Sequence, residues 1–197
     1  MEEASYTVRP LPPRARIGPY VIVRQVPDGV GGMAVVYQAR LASDKSTVAL
    51  KVAHAGLGGF LKDETAFLKA LNLNHPHVIE ILPTPLGDGV SDYIVKDPGT
   101  GCWYFAMEFM AGGSLENWLH RRKHLTLNQA VDVIRQIGAA LDAAHRAGIV
   151  HLDVKPSNIL FRQNPAKGQL HAVLTDFGIA RPQGRVASGQ TTLTVEY

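Results

Sequence analysis

The segment His151-Leu152-Asp153-Val154-Lys155-Pro156-Ser157-Asn158, followed downstream by Asp176-Phe177-Gly178, carries most of what this chain discloses about itself. Two short stretches bring together a carboxylate base, a cation long enough to reach a phosphate, and two side chains, Asn158 and Asp176, whose oxygens suit a hard metal ion. Phosphoryl transfer asks a protein for in-line positioning, a divalent metal and charge compensation rather than for covalent help. These residues supply all three. An Asp-Phe-Gly tripeptide alone is common, so the weight lies on Asp153, Lys155, Asn158 and Asp176 occurring together in this order.

Upstream, Gly29-Val30-Gly31-Gly32-Met33-Ala34-Val35-Val36-Tyr37 lies between two expected strands, where glycines let backbone amides close over phosphates; a ligand-free glycine hairpin reads equally well from this segment alone. Val48-Ala49-Leu50-Lys51 ends an apolar strand with a lysine. An isolated strand lysine would snorkel to solvent. Thirteen residues on, Glu64 falls in a helix expected to cover the sheet, and an ion pair with it would keep Lys51 charged despite partial burial; Asp63 is the alternative partner.

The rest of the chain frames these motifs. Its 197 residues are 46% hydrophobic and 19% charged, enough to build a core, and hold one domain or two small lobes. The net charge of +3 is mild, and the Arg121-Arg122-Lys123 run reads as a solvated helix end, so no nucleic-acid partner is expected. A single cysteine, Cys102, excludes an internal disulfide. No apolar run is long enough for a membrane span and the N-terminus lacks a signal-peptide layout. A cytoplasmic piece is expected, with a downstream membrane anchor and the oligomeric state both left open.

Residues 1–16, rich in proline and arginine and without apolar periodicity, are expected to be a flexible tail. Tyr20 to Val26, Ala34 to Leu41 and Thr47 to Val52 read as strands of an antiparallel meander, and Phe60 to Leu73 as a helix with Phe60, Phe67, Leu68 and Leu71 turned to the sheet. Val78 to Pro85 reads as one further strand, and Tyr93 to Lys96 is expected to pair with Cys102 to Glu108. Ala111-Gly112-Gly113 marks a boundary, after which the pattern turns helical. Ser114 caps a short helix to about Lys123; Thr126 and Gln129 form a capping-box signature for a longer one. Its apolar face is expected to hold Ala130, Val133, Ile134, Ile137, Leu141 and Ala144, with Gly148 as terminator. The fold class expected is α+β.

Taken together, the glycine segment, Lys51, Glu64, the His75-Pro76 pair, and the two opening segments resemble eukaryotic-type serine/threonine protein kinases, in particular bacterial members with the Gly-Gly-Met form of the glycine loop. The resemblance implies a bilobal fold. Residues 17–110 would be the N-lobe, an antiparallel sheet with one main helix; 108–113 would be the hinge, and 114–197 a mainly helical, partial C-lobe ending in the activation segment. It implies ATP and Mg2+, with Mn2+ possible, and a protein substrate bearing serine or threonine. Gly29, Val30, Gly31, Gly32, Met33 and Ala34 would cover the phosphates, and Lys51 would orient toward them. Val36, Ala49 and Leu160 would enclose adenine, with Met107 as gatekeeper and the backbone of Glu108 and Met110 reading the base. Asp153 would receive the hydroxyl proton, Lys155 would offset charge on the moving group, and Asn158 and Asp176 would hold metal. His151 is expected to pack on Phe177 rather than touch substrate. Lys155-Pro156 separates the pattern from tyrosine kinases and antibiotic kinases. Thr194 resembles the threonine that contacts the catalytic aspartate and lysine.

Ala34 stands where the family has a third glycine, and Leu152 where it most often has arginine. That arginine usually pairs with a phosphorylated activation-loop residue, so phosphorylation at Thr191, Thr192 or Thr194 is not expected to be read through position 152. By resemblance, Tyr197 precedes most of the helical lobe, so a fragment of a longer protein is expected, and it is not expected to phosphorylate anything alone. A nucleotide-binding pseudokinase or interaction scaffold is the alternative reading, and a small-molecule phosphotransferase a third.

Overall fold

A computed structural model describes residues 10–30, 34–53, 57–70, 75–122, 124–165, 170–177 and 181–182. The first half is an antiparallel sheet. Its strands are β1 (Arg16–Ile17), β2 (Tyr20–Val30), β3 (Ala34–Leu41), β4 (Thr47–Ala53), β5 (Ile81–Leu82), β8 (Val95–Lys96) and β9 (Trp103–Glu108), in the order β1-β2-β3-β4-β9-β5 with β8 also paired to β9. A separate ribbon of β6 (Thr84–Gly87) and β7 (Val90–Asp92) intervenes in sequence. Alternation along the central strand β4 decides what each face holds. Val48, Leu50 and Val52 join one core cluster with Tyr20, Tyr37 and Tyr104, while Ala49 and Ala53 face a second with Phe105 and Met107. Lys51 falls on that second face, opposite Val36 on β3 and Phe105 on β9.

Helix α1 (Gly58–Ala70) covers this face. Leu61, Glu64, Thr65 and Leu68 are buried at helical spacing, which turns Glu64 inward and leaves Asp63 exposed. Phe60, expected on the packed face, is 41% exposed instead: it lies one position before Leu61 and on the outer side. Leu71 lies outside the described residues.

Two expectations about the sheet are corrected. The single strand over 78–85 is divided: Val78 makes an isolated bridge to Leu174, Ile81 and Leu82 pair with β9, and Thr84 begins the separate ribbon, because Pro83 and Pro85 cannot donate to a continuous ladder. Residues 10–16, expected in the tail, are bonded to the sheet: Leu11 N donates to the Tyr37 hydroxyl at 3.0 Å and Ala15 O accepts from Ile22 N at 2.9 Å. Residues 1–9 lie outside the described residues.

The chain leaves β9 at Glu108 and turns through Gly112, where a Cβ would come within 2.6 Å of the Phe161 Cβ, and Gly113, whose φ is +75°. Glycine is required twice there, by packing and by conformation. β10 (Gly113–Ser114), α2 (Leu115–Arg122), α3 (Leu127–Arg146) and β11 (Ile149–Val150) follow. Then come a 3-10 turn (Pro156–Asn158), β12 (Ile159–Phe161), β13 (Ala172–Leu174) and β14 (Arg181–Pro182). Asn117 N donates to the Ser114 hydroxyl at 3.1 Å, and the Thr126–Gln129 capping box forms in full. On α3 the buried residues are Val133, Ile137, Ala140 and Ala144. Ile134 is 72% exposed, a correction: the stripe turns through Ala140 and so excludes it. Gly148 ends the helix with φ +73°.

The two halves are knitted at the end of α1. Leu174 N donates to His77 O at 2.8 Å, Ile79 N donates to Leu174 O at 2.9 Å, and the His77 and His171 rings bond to Ala172 O and Pro76 O, each at 2.8 Å. One apolar cluster runs continuously from Leu61 and Leu68 on α1 to Ile137 on α3 and Val173 on β13. A sheet-and-helix part over a helical part, joined by one crossing strand, is the bilobal α+β arrangement expected.

Candidate active site

Two ionic clusters face the junction of the halves. In the first, Lys51 Nζ lies 2.6 Å from Glu64 Oε2 and 2.9 Å from Asp176 Oδ1. The Lys51 side chain is 13% exposed and that of Glu64 3%. Burial alone would discharge the ammonium, but the two carboxylates outweigh it and raise its pKa. Burial likewise works against ionisation of Asp176, and Lys51 overrides it and holds that carboxyl below its ordinary value. Glu64 is pushed up by burial against the pull of Lys51 and of the Phe177 backbone amide. Glu64 thus touches both the strand lysine and the segment that carries Asp176.

The second cluster is built within one loop. Asp153 Oδ2 accepts from Lys155 Nζ at 2.8 Å and from Asn158 Nδ2 at 2.9 Å, and Asn158 Nδ2 also reaches the Asp153 carbonyl at 2.9 Å. Among the described residues the hydrogen bonds to this carboxylate fall on Oδ2. His151 organises the loop from below: Asp153 N donates to its Nδ1 at 3.2 Å, leaving Nε2–H to donate to Thr175 O at 3.0 Å. Its ring lies 4.5 Å from that of Phe177, edge to face, and burial lowers its pKa so that the neutral ring is favoured. Thr175 N donates to Asn158 O at 3.0 Å, which laces the two loops together. Leu152 and Asp176 both adopt positive φ, +65° and +67°, uncommon for residues with a Cβ. Leu152 is 51% exposed and brings no cation to this surface.

Asn158 and Asp176 fit a small hard cation by their chemistry: Asn158 bonds Asp153 through Nδ2 rather than through its amide oxygen, and the Lys51 contact uses one oxygen of Asp176. Among the described residues no three His, Cys, Asp or Glu side chains are grouped to hold a metal.

Above the clusters, Ala49 and Met107 pair across β4 and β9, and both are buried with Met110; Val36 and Leu160 pack partly buried against the same cluster. Gly29 is within the described residues, and a Cβ on it would approach the Val36 Cβ to 2.7 Å, so the chain passes closely over β3 there. Ala34, at the start of β3, is 5% exposed. Gly31, Gly32, Met33, Gly178 and Thr194 lie outside the described residues, as does the side chain of Val30.

Sequence reasoning missed the side chain of Glu108. Its Oε1 accepts from Arg162 Nη2 at 2.9 Å and from Glu80 N at 3.2 Å, tying the crossing strand to the end of β12. No motif points to Arg162, because its partner lies 54 residues away.

Residues 20–197 match the protein kinase domain. The chain belongs to the protein kinase domain family. Among its curated relatives, serine/threonine-protein kinase PknJ of Mycobacterium bovis is 34% identical over 176 residues, 86% of this chain and 28% of that protein. PknE of the same species is 37% identical over 169 residues, 84% and 26% of the two chains, and PknD of Mycobacterium tuberculosis 33% over 189 residues, 92% and 25%. The chain therefore spans about a quarter of the length of these relatives. Among the described residues no helix is long and apolar enough to cross a membrane.

Proposed function

We propose that the chain is the nucleotide-binding and catalytic part of a protein kinase that transfers the ATP γ-phosphoryl group to serine or threonine of a protein. The carrying observation is Asp153, held through Oδ2 by Lys155 and Asn158, in a loop laced to the one that presents Asp176 to Lys51. The names of the relatives, all serine/threonine-protein kinases, support the same reading.

In this mechanism the substrate hydroxyl bonds to Asp153 Oδ1, which orients it and receives its proton as the new O–P bond forms and the bond to the leaving ADP oxygen breaks. Lys155 offsets charge on the moving group, and Lys51, aimed by Glu64, steadies the remaining phosphates. Magnesium, or manganese, held by Asn158 and Asp176 would neutralise phosphate charge. Adenine lies among Val36, Ala49 and Leu160 beside Met107, read by backbone groups of Glu108 and Met110, with 29–34 over the phosphates. Thr194, outside the described residues, is assigned by resemblance to partner Asp153 and Lys155. Residues 17–110 and 114–197 are the two lobes, and the site works in the cytoplasm.

The test is transfer of labelled phosphate from Mg-ATP to a generic protein substrate by the full-length protein. Wild type is expected to label serine or threonine. Asp153→Asn should lose about 10²- to 10⁴-fold, the usual contribution of a positioned base. Transfer undiminished in this variant, or label found only on small molecules, would reject the reading.

A further inference from the structure

The start of α1 is seated on a single aromatic ring. A Cβ built on Gly58, the first residue of the helix, would lie within 2.6 Å of Trp103 Cγ and 2.8 Å of its Nε1. Neither side can give easily, because Trp103 opens β9, where it pairs with Lys96 on β8. One turn further on, Lys62 places its ammonium 3.9 Å from the centroid of the same ring. Lys62 is exposed and makes no ion pair among the described residues, so Trp103 is its recorded partner. At the other end of α1, Lys69 lies 4.6 Å from the Tyr93 centroid and 4.0 Å from Asp92 Oδ1. Both aromatic rings belong to the stretch leading from the β6–β7 ribbon into β9. The outer side of α1 is therefore gripped near both ends, and between the grips Glu64 points inward, 2.6 Å from Lys51.

We propose that Trp103 is the fulcrum of α1, a positioning residue which, with the lysine–aromatic contacts of Lys62 and Lys69, holds Glu64 within reach of Lys51 from inside the chain. The proposal rests on the reading of Lys51 and Glu64 as phosphate-orienting residues. Their pair joins two elements, β4 and α1, and tolerates little movement: a contact of 2.6 Å is lost by a displacement of about 1 Å, a shift that costs an enzyme on the order of a hundredfold in rate. Nothing in Glu64 itself sets the height of α1 above the sheet. Alongside the buried Leu61 and Leu68, Gly58 fixes how closely the start of the helix approaches Trp103, since a Cβ there would collide with the ring.

The test compares Trp103→Leu and Lys62→Gln in the full-length protein, each alone and combined with Glu64→Gln. If Trp103 acts through Glu64, Trp103→Leu lowers kcat/KM for ATP about tenfold in the wild-type background and less than about twofold beside Glu64→Gln, since contacting residues in one pathway are non-additive. Lys62→Gln shows the same pattern with a smaller factor, and Lys62→Arg, which keeps a cation over the ring, restores activity. Equal losses in both backgrounds would overturn the proposal, because a merely structural role lowers activity whether or not Glu64 is present. The exposed position of Lys62 keeps the test decisive if Trp103→Leu does not fold. Should the wild type transfer no phosphate, the reading of the preceding section fails. The fulcrum is then judged by amide hydrogen exchange: faster exchange confined to α1 in Lys62→Gln and Gly58→Ala supports it, and unchanged exchange there overturns it.

Discussion

The Asp153 cluster and the Lys51 cluster use the same chemistry and are assembled in opposite ways. Lys155 and Asn158 stand two and five positions from Asp153, so a single loop brings its own partners together. Lys51 finds Glu64 across 13 positions and Asp176 across 125. The first cluster survives whatever the loop survives. The second exists only while β4, α1 and the segment after β13 keep their places, so under the proposed function it is the one through which activity would be lost. On the proposed reading, Asp153 would set whether the reaction occurs, and the Lys51 cluster in which arrangement of the halves it occurs.

The largest effect that would break this contrast is on activity. Glu64→Gln is expected to lower transfer about tenfold to a hundredfold, through misplacement of Lys51, and to weaken nucleotide binding, whereas Asp153→Asn lowers kcat with nucleotide affinity nearly unchanged. Steady-state kinetics with direct nucleotide titration separate the two. A Glu64→Gln protein with normal affinity and kcat would remove the distinction between the clusters.

Much of the first cluster was legible because its spacing is its geometry: the positions of Asp153, Lys155 and Asn158 in one loop leave few other ways to meet. The Lys51–Glu64 contact was legible in part. Helical spacing of Leu61, Glu64 and Leu68 puts Glu64 inward, but the close approach of Gly58 to Trp103 at the start of the helix is a meeting no periodicity announces. The β6–β7 ribbon and the bonding of residues 10–16 escaped for a related reason. Pro83 and Pro85 divide a run of apolar residues that reads as one strand, and the 10–16 segment is held by backbone hydrogen bonds and by Tyr37, not by a pattern of its own. Likewise Ile134 fits the apolar stripe of α3 by spacing, yet stands at the margin where that face meets solvent.

A middle-sized effect concerns the hinge. Among the described residues Arg162 Nε is buried without a hydrogen-bond partner, while its Nη2 holds Glu108. Arg162→Ala removes that partner from a carboxylate that is 19% exposed and already pushed up by burial. The expected loss is about 1–2 kcal/mol, between the values for surface and buried pairs, or a fall in Tm of a few degrees. Glu108→Gln should recover part of it when combined with Arg162→Ala, since an amide carries no unpaired charge. If the double variant is no more stable than Arg162→Ala, the pair is not what ties the crossing strand to β12.

The smallest effect separates the clusters by pH. His151 sits under Asp153, and burial holds its folded pKa below the unfolded value of about 6.5. The folded state therefore binds fewer protons than the unfolded chain in that window, and His151 withdraws stability as pH falls through about 6.5 toward its folded value. Asp176 behaves differently. Its folded pKa is depressed by Lys51, so its contribution is complete above the ordinary carboxylate value of about 3.9 and is lost only in stronger acid. Between pH 7 and 5 His151 should thus withdraw stability while Asp176 does not. His75 and His77, also lowered by burial, add to the same slope at the seam between the halves. Calorimetry of His151→Gln against wild type isolates the loop: the variant starts less stable, because the Thr175 and Asp153 contacts are weakened, and loses less Tm between pH 7 and 5. An unchanged slope would mean that His151 does not titrate with unfolding, and the loop under Asp153 would then be no more acid-sensitive than the ion cluster beside it.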